Sequence, residues 1–153
     1  MNFRGINNAN LDAKGRLGLP ARFREQLQVS CEGNLVVTID MRESCLLLYP
    51  IHEWEVVQRK LENLSNIEPQ ARLLQRLLIG HATDLQMDSN GRILLPSMLR
   101  DYAELEKKVV LLGQGNKIEL WSQSLWQGQM DTWLSDQSSG LLDGGDAFTG
   151  LSV

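Results

Sequence analysis

The side chains best placed to do chemistry in this chain stand in two copies of one short pattern, Asp-x-x-Gly-Arg. One copy is Asp12-Ala13-Lys14-Gly15-Arg16 and the other is Asp88-Ser89-Asn90-Gly91-Arg92. An aspartate at the first position of a tight turn accepts backbone N–H groups, and the glycine supplies the positive φ that ends the turn. The carboxylate also reaches the arginine four residues on, and bracing the turn in this way is by itself a sufficient role for both charges. The same arrangement suits recognition, because an arginine oriented by a carboxylate can offer its fork to a guanine edge or a phosphate. The two readings are compatible: Asp12, Asp88 and Gly91 would order the loops, while Lys14, Gly15, Arg16 and Arg92 face a ligand.

Nothing else in the sequence offers comparable chemistry. The only histidines are His52 and His81, and the only cysteines are Cys31 and Cys45. None of these four forms the short-spaced ligand pair that a zinc site uses, so no metal is expected. There is no nucleophile elbow, Walker loop or dinucleotide fingerprint, and Gly113-Gln114-Gly115 reads as a hairpin turn. Paired carboxylates at strand ends, which an acid–base site would want, are not evident. The sequence predicts no catalytic residue, no cofactor and no small-molecule substrate.

The elements that position the two turns follow from an internal repeat. The fourteen residues from Leu11 to Arg24 lie 76 positions before those from Met87 to Arg100, and six are identical. Unrelated segments of ordinary composition would share about one. Val36-Val37 is matched with Val109-Val110, and Leu48-Tyr49 with Leu120-Trp121. Each turn leads into a short alternating strand, Arg16 to Leu19 or Arg92 to Leu95, which predicts a hairpin. Pro20 and Pro96 then suit the first turn of a helix. Phe23 with Leu27, and Leu99 with Ala103, are four apart and face inward. A second strand pair follows in each copy, Leu35–Ile39 with Cys45–Tyr49 and Lys108–Leu112 with Lys117–Trp121. Closing helices begin near His52 and Ser124. Between the copies, Glu68 to Gly80 reads as one helix with an apolar stripe of Leu73, Leu74, Leu77 and Leu78.

Each repeat is too small to bury a sufficient core alone, so the two are expected to interlock as a pseudo-dimer, leaving leucine-rich faces for neighbouring chains. No apolar run reaches the length of a membrane helix, and the N-terminus lacks an apolar leader, which predicts a cytoplasmic protein. Net charge is −4 over 153 residues, yet it is unevenly spread. Residues 1–30 carry Arg4, Lys14, Arg16, Arg22 and Arg24 against Asp12 and Glu25, whereas residues 131–153 carry four aspartates and no base. A polyanion would therefore be met by the N-terminal region.

The run Asp-x-x-Gly-Arg-apolar-x-apolar-Pro, followed by a short helix, resembles the swapped-hairpin DNA-binding module of AbrB-like transition-state regulators and related antitoxins. Two copies in one chain narrow the resemblance. Asn10 to Leu17, Cys45 to Pro50, Gln75 to Ala82 and Asn116 to Trp121 are similar to segments of the MraZ family, and the similarity runs from Phe3 to about Trp133. The resemblance implies an α+β fold in which two tandem AbrB-like swapped-hairpin repeats form one pseudo-twofold β-barrel with flanking helices. The repeats would be residues 5–62 and 81–134, joined by a connecting helix within 63–80 and followed by a flexible acidic tail, 135–153. It also implies a DNA-binding transcriptional repressor of the division and cell-wall gene cluster, including its own operon. Such a protein would bind direct repeats in the promoter as a ring-like homo-oligomer, associated with the nucleoid. The family's paired Asp-x-x-x-Arg motif falls on Asp12 with Arg16 and on Asp88 with Arg92, with Arg4, Lys14, Gly15 and Arg22 as further DNA contacts. The second copy has Asn90 for Lys14 and Met98 for Arg22, so the first loop is expected to carry more of the binding. The alternatives are a protein-interaction module that docks through Leu141, Leu142 and Phe148 of the tail, and, last, a small hydrolase.

Overall fold

A computed structural model describes residues 2–135 and residue 151. The chain forms two compact units, Met1–Gln123 and Ser124–Val153. The segment 135–153, expected to be a flexible acidic tail, lies outside the described residues except for Ser135 and Leu151, and so do Leu141, Leu142 and Phe148.

The first unit contains strands β1 (Phe3–Asn10), β2 (Arg16–Gly18), β3 (Asn34–Ile39), β4 (Leu46–Pro50), β5 (Thr83–Gln86), β6 (Arg92–Leu94), β7 (Lys108–Gly115) and β8 (Ile118–Ser122). Its helices are α1 (Ala21–Cys31), α2 (Ile51–Glu62), α3 (Pro69–Leu74), which continues as a π-helical turn over Gln75–Ile79, and α4 (Ser97–Tyr102). Helix α5 (Gln123–Ser135) enters the second unit, where the rings of Trp126 and Trp133 meet edge to face at 5.9 Å.

Six strands form one antiparallel sheet in the order β1-β7-β8-β4-β3-β5, and β2 pairs with β6 in a separate two-stranded ribbon. Exchanging each strand of one repeat for its counterpart in the other reads this order backwards, so the sheet has an internal twofold. The strands are traded between repeats: β1 lies beside β7 of the second repeat, and β5 beside β3 of the first. Two junctions sit on the pseudo-axis. Leu17 pairs with Ile93, its own counterpart, and Leu47 pairs with Glu119, again position for position.

This corrects three expectations. Each Asp-x-x-Gly turn does not make a hairpin of its own. A single bridge joins Leu11 to Leu17, and beyond it the two flanking strands go to different sheets. A three-residue strand has one inward residue to bury, and pairing β2 with β6 sets the two such residues, Leu17 and Ile93, side by side. The strands form an open six-stranded sheet and a ribbon rather than one closed barrel. Finally, Val110 pairs with Trp121 as Val36 pairs with Tyr49, so Val36-Val37 answers Val110-Leu111, one residue later than the sequence match suggests.

The core lies between the inner face of the sheet and the ribbon with α1 and α4. It draws Phe3, Leu17, Phe23, Leu27, Leu35 and Leu48 from the first repeat together with Ile93, Leu99, Ala103, Leu111 and Leu120 from the second. Phe23, Leu27, Leu99 and Ala103 are fully buried, as their helical spacing predicts. Pro20 and Pro96 precede their helices rather than opening them. Each is extended, and its carbonyl accepts the first helical hydrogen bond, from Arg24 N–H at 2.9 Å and Arg100 N–H at 3.0 Å.

On the opposite face of the sheet, Val36 and Tyr49 pack with Trp54 and Leu61 of α2 and with Leu74, Leu78 and Ile79. The connecting helix is not uniform. In its π-helical turn Gly80 N–H donates to Gln75 O, five residues back. The carbonyls of Leu77 and Leu78 are taken by side chains, the His81 ring and the Thr38 hydroxyl, each at 2.7 Å. Leu74 and Leu78 face the sheet, whereas Leu73, expected in the same stripe, is exposed.

Candidate nucleic-acid interface

The two turns have the same geometry, hydrogen bond for hydrogen bond. In the first, Asp12 N–H donates to Arg16 O at 2.9 Å, and Gly15 N–H donates to Asp12 O at 3.0 Å. Asp12 Oδ1 accepts the N–H groups of Lys14 and Arg16 at 3.0 and 2.8 Å, while Oδ2 accepts Arg16 Nε at 2.7 Å. In the second, Asp88 Oδ1 accepts Asn90 and Arg92 N–H at 2.8 and 2.9 Å, and Oδ2 accepts Arg92 Nε at 3.2 Å.

The backbone N–H donated by the partner arginine is the main cause that holds each aspartate below the usual carboxylate range. A carboxylate depressed in this way orders its turn at every pH above the ordinary carboxylate range. That contribution is lost only as the pH falls through the lowered value. Bracing the turn uses only Nε of each arginine. Among the described residues the terminal Nη atoms of Arg16 and Arg92 have no partner, so the bidentate edge stays available. Bracing the turn therefore does not preclude a ligand contact by the same arginine.

The ribbon decides where these edges point. Leu17 and Ile93 are buried, so the alternate residues Arg16, Gly18, Arg92 and Leu94 share the outward face. Arg16 stands opposite Leu94 and Arg92 opposite Gly18, which makes the two arginines diagonal neighbours, about 7–8 Å apart at the backbone. The turns are tied to this ribbon crosswise, with Leu95 N–H donating to Gly15 O and Leu19 N–H to Gly91 O, both at 2.9 Å.

Gly15 and Gly91 have φ of +89° and +74° and lie under arginines of the opposite repeat. A Cβ at Gly15 would stand 2.8 Å from Arg100 Cζ, and one at Gly91 would collide with Arg24 Cδ. Arg24 Nη1 also donates to Asn90 O at 3.2 Å, and Arg100 Nε to Leu95 O at 3.0 Å. Sequence reasoning did not single out these two arginines as part of the site. The available signal was that both end the matched fourteen-residue segments as identical residues.

Of the residues expected to face DNA, Arg16 and Arg92 come together on the ribbon. Lys14 is exposed in its turn, and Arg22 is exposed in the first turn of α1. Arg4 stands apart, near the start of β1 opposite Gln114, so the length of the strand, about 26 Å for eight residues, separates it from Asp12.

A second polar group escaped the sequence reading. Asp40, Cys45 and Glu119 bring one carboxylate or thiol atom each within 4.8 Å of one another, which supplies the carboxylate pair that 78 intervening residues had concealed. Asp40 Oδ1 accepts Arg42 and Glu43 N–H, and Glu119 Oε1 accepts Trp121 Nε1 at 2.9 Å. Burial pushes the Cys45 thiol far up, so it stays protonated and is no nucleophile. Burial also raises Glu119, and the nearby Asp40 charge adds to this. An acid whose folded pKa is raised loses stability as the pH rises through the ordinary carboxylate range and its own higher value. Glu119→Gln should therefore raise the melting temperature at pH 7–8 and leave it unchanged near pH 3. Thermal unfolding followed across that range checks both ends.

Comparison with known proteins places the whole arrangement. The family model described as "MraZ protein, putative antitoxin-like" matches residues 2–77 and again 78–140. A protein of Hydrogenovibrio crunogenus named transcriptional regulator MraZ is 53% identical over 151 residues, covering 99% of this chain and 98% of its own. Proteins of the same name from Halorhodospira halophila and Legionella pneumophila (strain Corby) are 55% and 50% identical over 137 residues, covering 90% of each chain. With doubled turns, exchanged strands and these relatives over nearly its full length, the chain belongs to the MraZ family, a family of transcriptional regulators and not of enzymes.

Proposed function

We propose that the chain binds double-stranded DNA in a sequence-specific way through the outward face of the β2–β6 ribbon. Arg16 and Arg92 would be the base- or phosphate-contacting pair, with Lys14, Gly15 and Arg22 beside them, and the exchange of strands between repeats is read as the swapped hairpin of AbrB-like modules. The carrying observation is that two carboxylate-oriented arginines share one outward face with their terminal nitrogens unengaged. Two-stranded ribbons enter the major groove, and an arginine fork matches O6 and N7 of guanine there. The finer reading is a repressor of the division and cell-wall gene cluster, its own operon included, acting at direct repeats in the promoter as a ring-like homo-oligomer in the nucleoid. A ring answers the acidic net charge of −4, because modest contacts at successive repeats combine through effective concentration. Direct repeats near one helical turn apart, about 10 base pairs, would keep neighbouring subunits on one side of the duplex.

The test is fluorescence anisotropy with DNA from upstream of the chain's own gene against scrambled DNA of equal length. Preference for the upstream DNA is expected, with affinity falling steeply as salt rises, because neutralised phosphates release counterions. Equal binding to both DNAs would defeat the sequence-specific reading, and a flat salt dependence would defeat the phosphate contacts.

A further inference from the structure

The internal twofold leaves one site on the outer face of the sheet closed in the first repeat and open in the second. Because Val110 stands where Val36 does, Leu112 corresponds to Thr38, and Ile6, 76 positions before Ala82, corresponds to that alanine. In the β3–β5 half, Thr38 is fully buried and its hydroxyl donates to Leu78 O, while Leu78, Ile79 and Ala82 all pack against the cluster of Val36, Tyr49, Trp54 and Leu61. The π-helical turn thus caps this half. In the β1–β7 half, Ile6 faces Leu112 across the strands, and Ile6 is 54% exposed. Among the described residues the connecting helix occurs once, and residues 83–123 provide no second copy of it. The open site is flanked along the same outer face by Arg4 and Lys108, both exposed.

Elsewhere the chain carries a matching feature. Ile67 is 90% exposed and Leu64 is also exposed, on the segment joining α2 to α3. Glu62 and Glu68 flank them and are exposed too, and among the described residues none of Arg4, Lys108, Glu62 and Glu68 makes an ion pair. One surface is therefore apolar with a basic rim, and the other is apolar with an acidic rim.

We propose that the Leu64–Ile67 segment of one copy of the chain docks on the Ile6–Leu112 face of the next, with Glu62 and Glu68 meeting Arg4 and Lys108. Two different surfaces of one chain make a head-to-tail contact, which closes into a ring when its rotation allows. The inference rests on the homo-oligomer reading above and names the faces that build it. It draws on no residue of the β2–β6 ribbon, and it gives Arg4 an assembly role in place of a DNA contact.

Light scattering on the full chain, wild type and variants, tests it. Wild type should run as an oligomer at micromolar concentration. Arg4→Glu with Lys108→Glu should fall to 17.3 kDa, and so should Glu62→Lys with Glu68→Lys, since in each case like charges then face one another. The chain carrying all four reversals should assemble again, and so should an equimolar mixture of the two double variants, as alternating copies, because each contact between unlike chains pairs opposite charges, one as in wild type and the other reversed. Recovery in the quadruple variant separates a charge effect from misfolding. A monomeric wild type would end both this inference and the homo-oligomer reading. An oligomer that survives both double reversals, or that the quadruple variant fails to restore, would end this inference alone.

Discussion

Replacing Arg16 by alanine should abolish specific DNA binding and leave the melting temperature nearly unchanged. The structure separates the two effects. Arg16 contributes its backbone N–H to Asp12 Oδ1 as well as its Nε to Oδ2, and only the second bond is lost with the side chain. The first bond, the Lys14 N–H bond to the same oxygen and the Leu17–Ile93 junction all remain. A bidentate arginine–base contact accounts for about 1–3 kcal/mol of discrimination, so one lost contact weakens binding some 5- to 150-fold. In an oligomer that engages several repeats the loss recurs in each subunit and compounds.

Arg92→Ala should weaken binding less. It shares the outward face with Arg16, but the lysine beside Arg16 is matched by Asn90, and Arg22 by Met98, so the second turn adds less positive potential. Asp12→Ala is the contrasting variant: it removes all three acceptor bonds of the turn, so stability and binding should fall together. Melting temperature and operator anisotropy measured on all three variants distinguish the cases. An Arg16→Ala protein that melts early yet still prefers its operator would show that this arginine is a brace and nothing more.

The sequence made the turns legible because everything that builds them is local. Asp12 reaches Lys14 and Arg16, and Asp88 reaches Asn90 and Arg92, over two and four residues. The helices and the second strand pair of each repeat were legible for the same reason, through spacing of apolar residues and the position of prolines. Strand exchange was not, since an apolar-turn-apolar pattern looks alike whether its two strands pair with each other or with a second copy. Arg24 and Arg100 were hidden for a related reason. The glycines they lie over, and the Asn90 carbonyl that Arg24 holds, belong to the other repeat's turn, and identity between copies indicates equivalence without saying across which boundary a side chain reaches. The cluster of Asp40, Cys45 and Glu119 depends on the junction of β4 with β8, another pairing between repeats. The π-helical turn is legible only once Thr38 is known to face Leu78.

Strand exchange makes its own prediction, with the largest effect on stability. Leu17 and Ile93 are both fully buried and stand opposite each other on the pseudo-axis. Truncating either to alanine removes buried methyl groups and leaves a cavity, at a cost of about 2–5 kcal/mol. Against a total stability of roughly 5–15 kcal/mol, each single variant should unfold at much lower denaturant concentration. If each repeat closed its own hairpin, the two residues would sit in separate environments and the costs would add. In the exchanged ribbon they line one space, so the second truncation enlarges a cavity already present and deprives the first of a partner it has lost. The double variant Leu17→Ala/Ile93→Ala should therefore cost less than the sum of the singles, by about 0.5–3 kcal/mol for residues in contact. Leu94→Ala is the control, because Leu94 stands opposite Arg16 at 57% exposure and its truncation should change stability by no more than about 0.5 kcal/mol. Urea unfolding of the four proteins gives the coupling directly. Strict additivity of Leu17 and Ile93 would mean that the repeats keep their strands to themselves, and Arg16 and Arg92 would then no longer share a face.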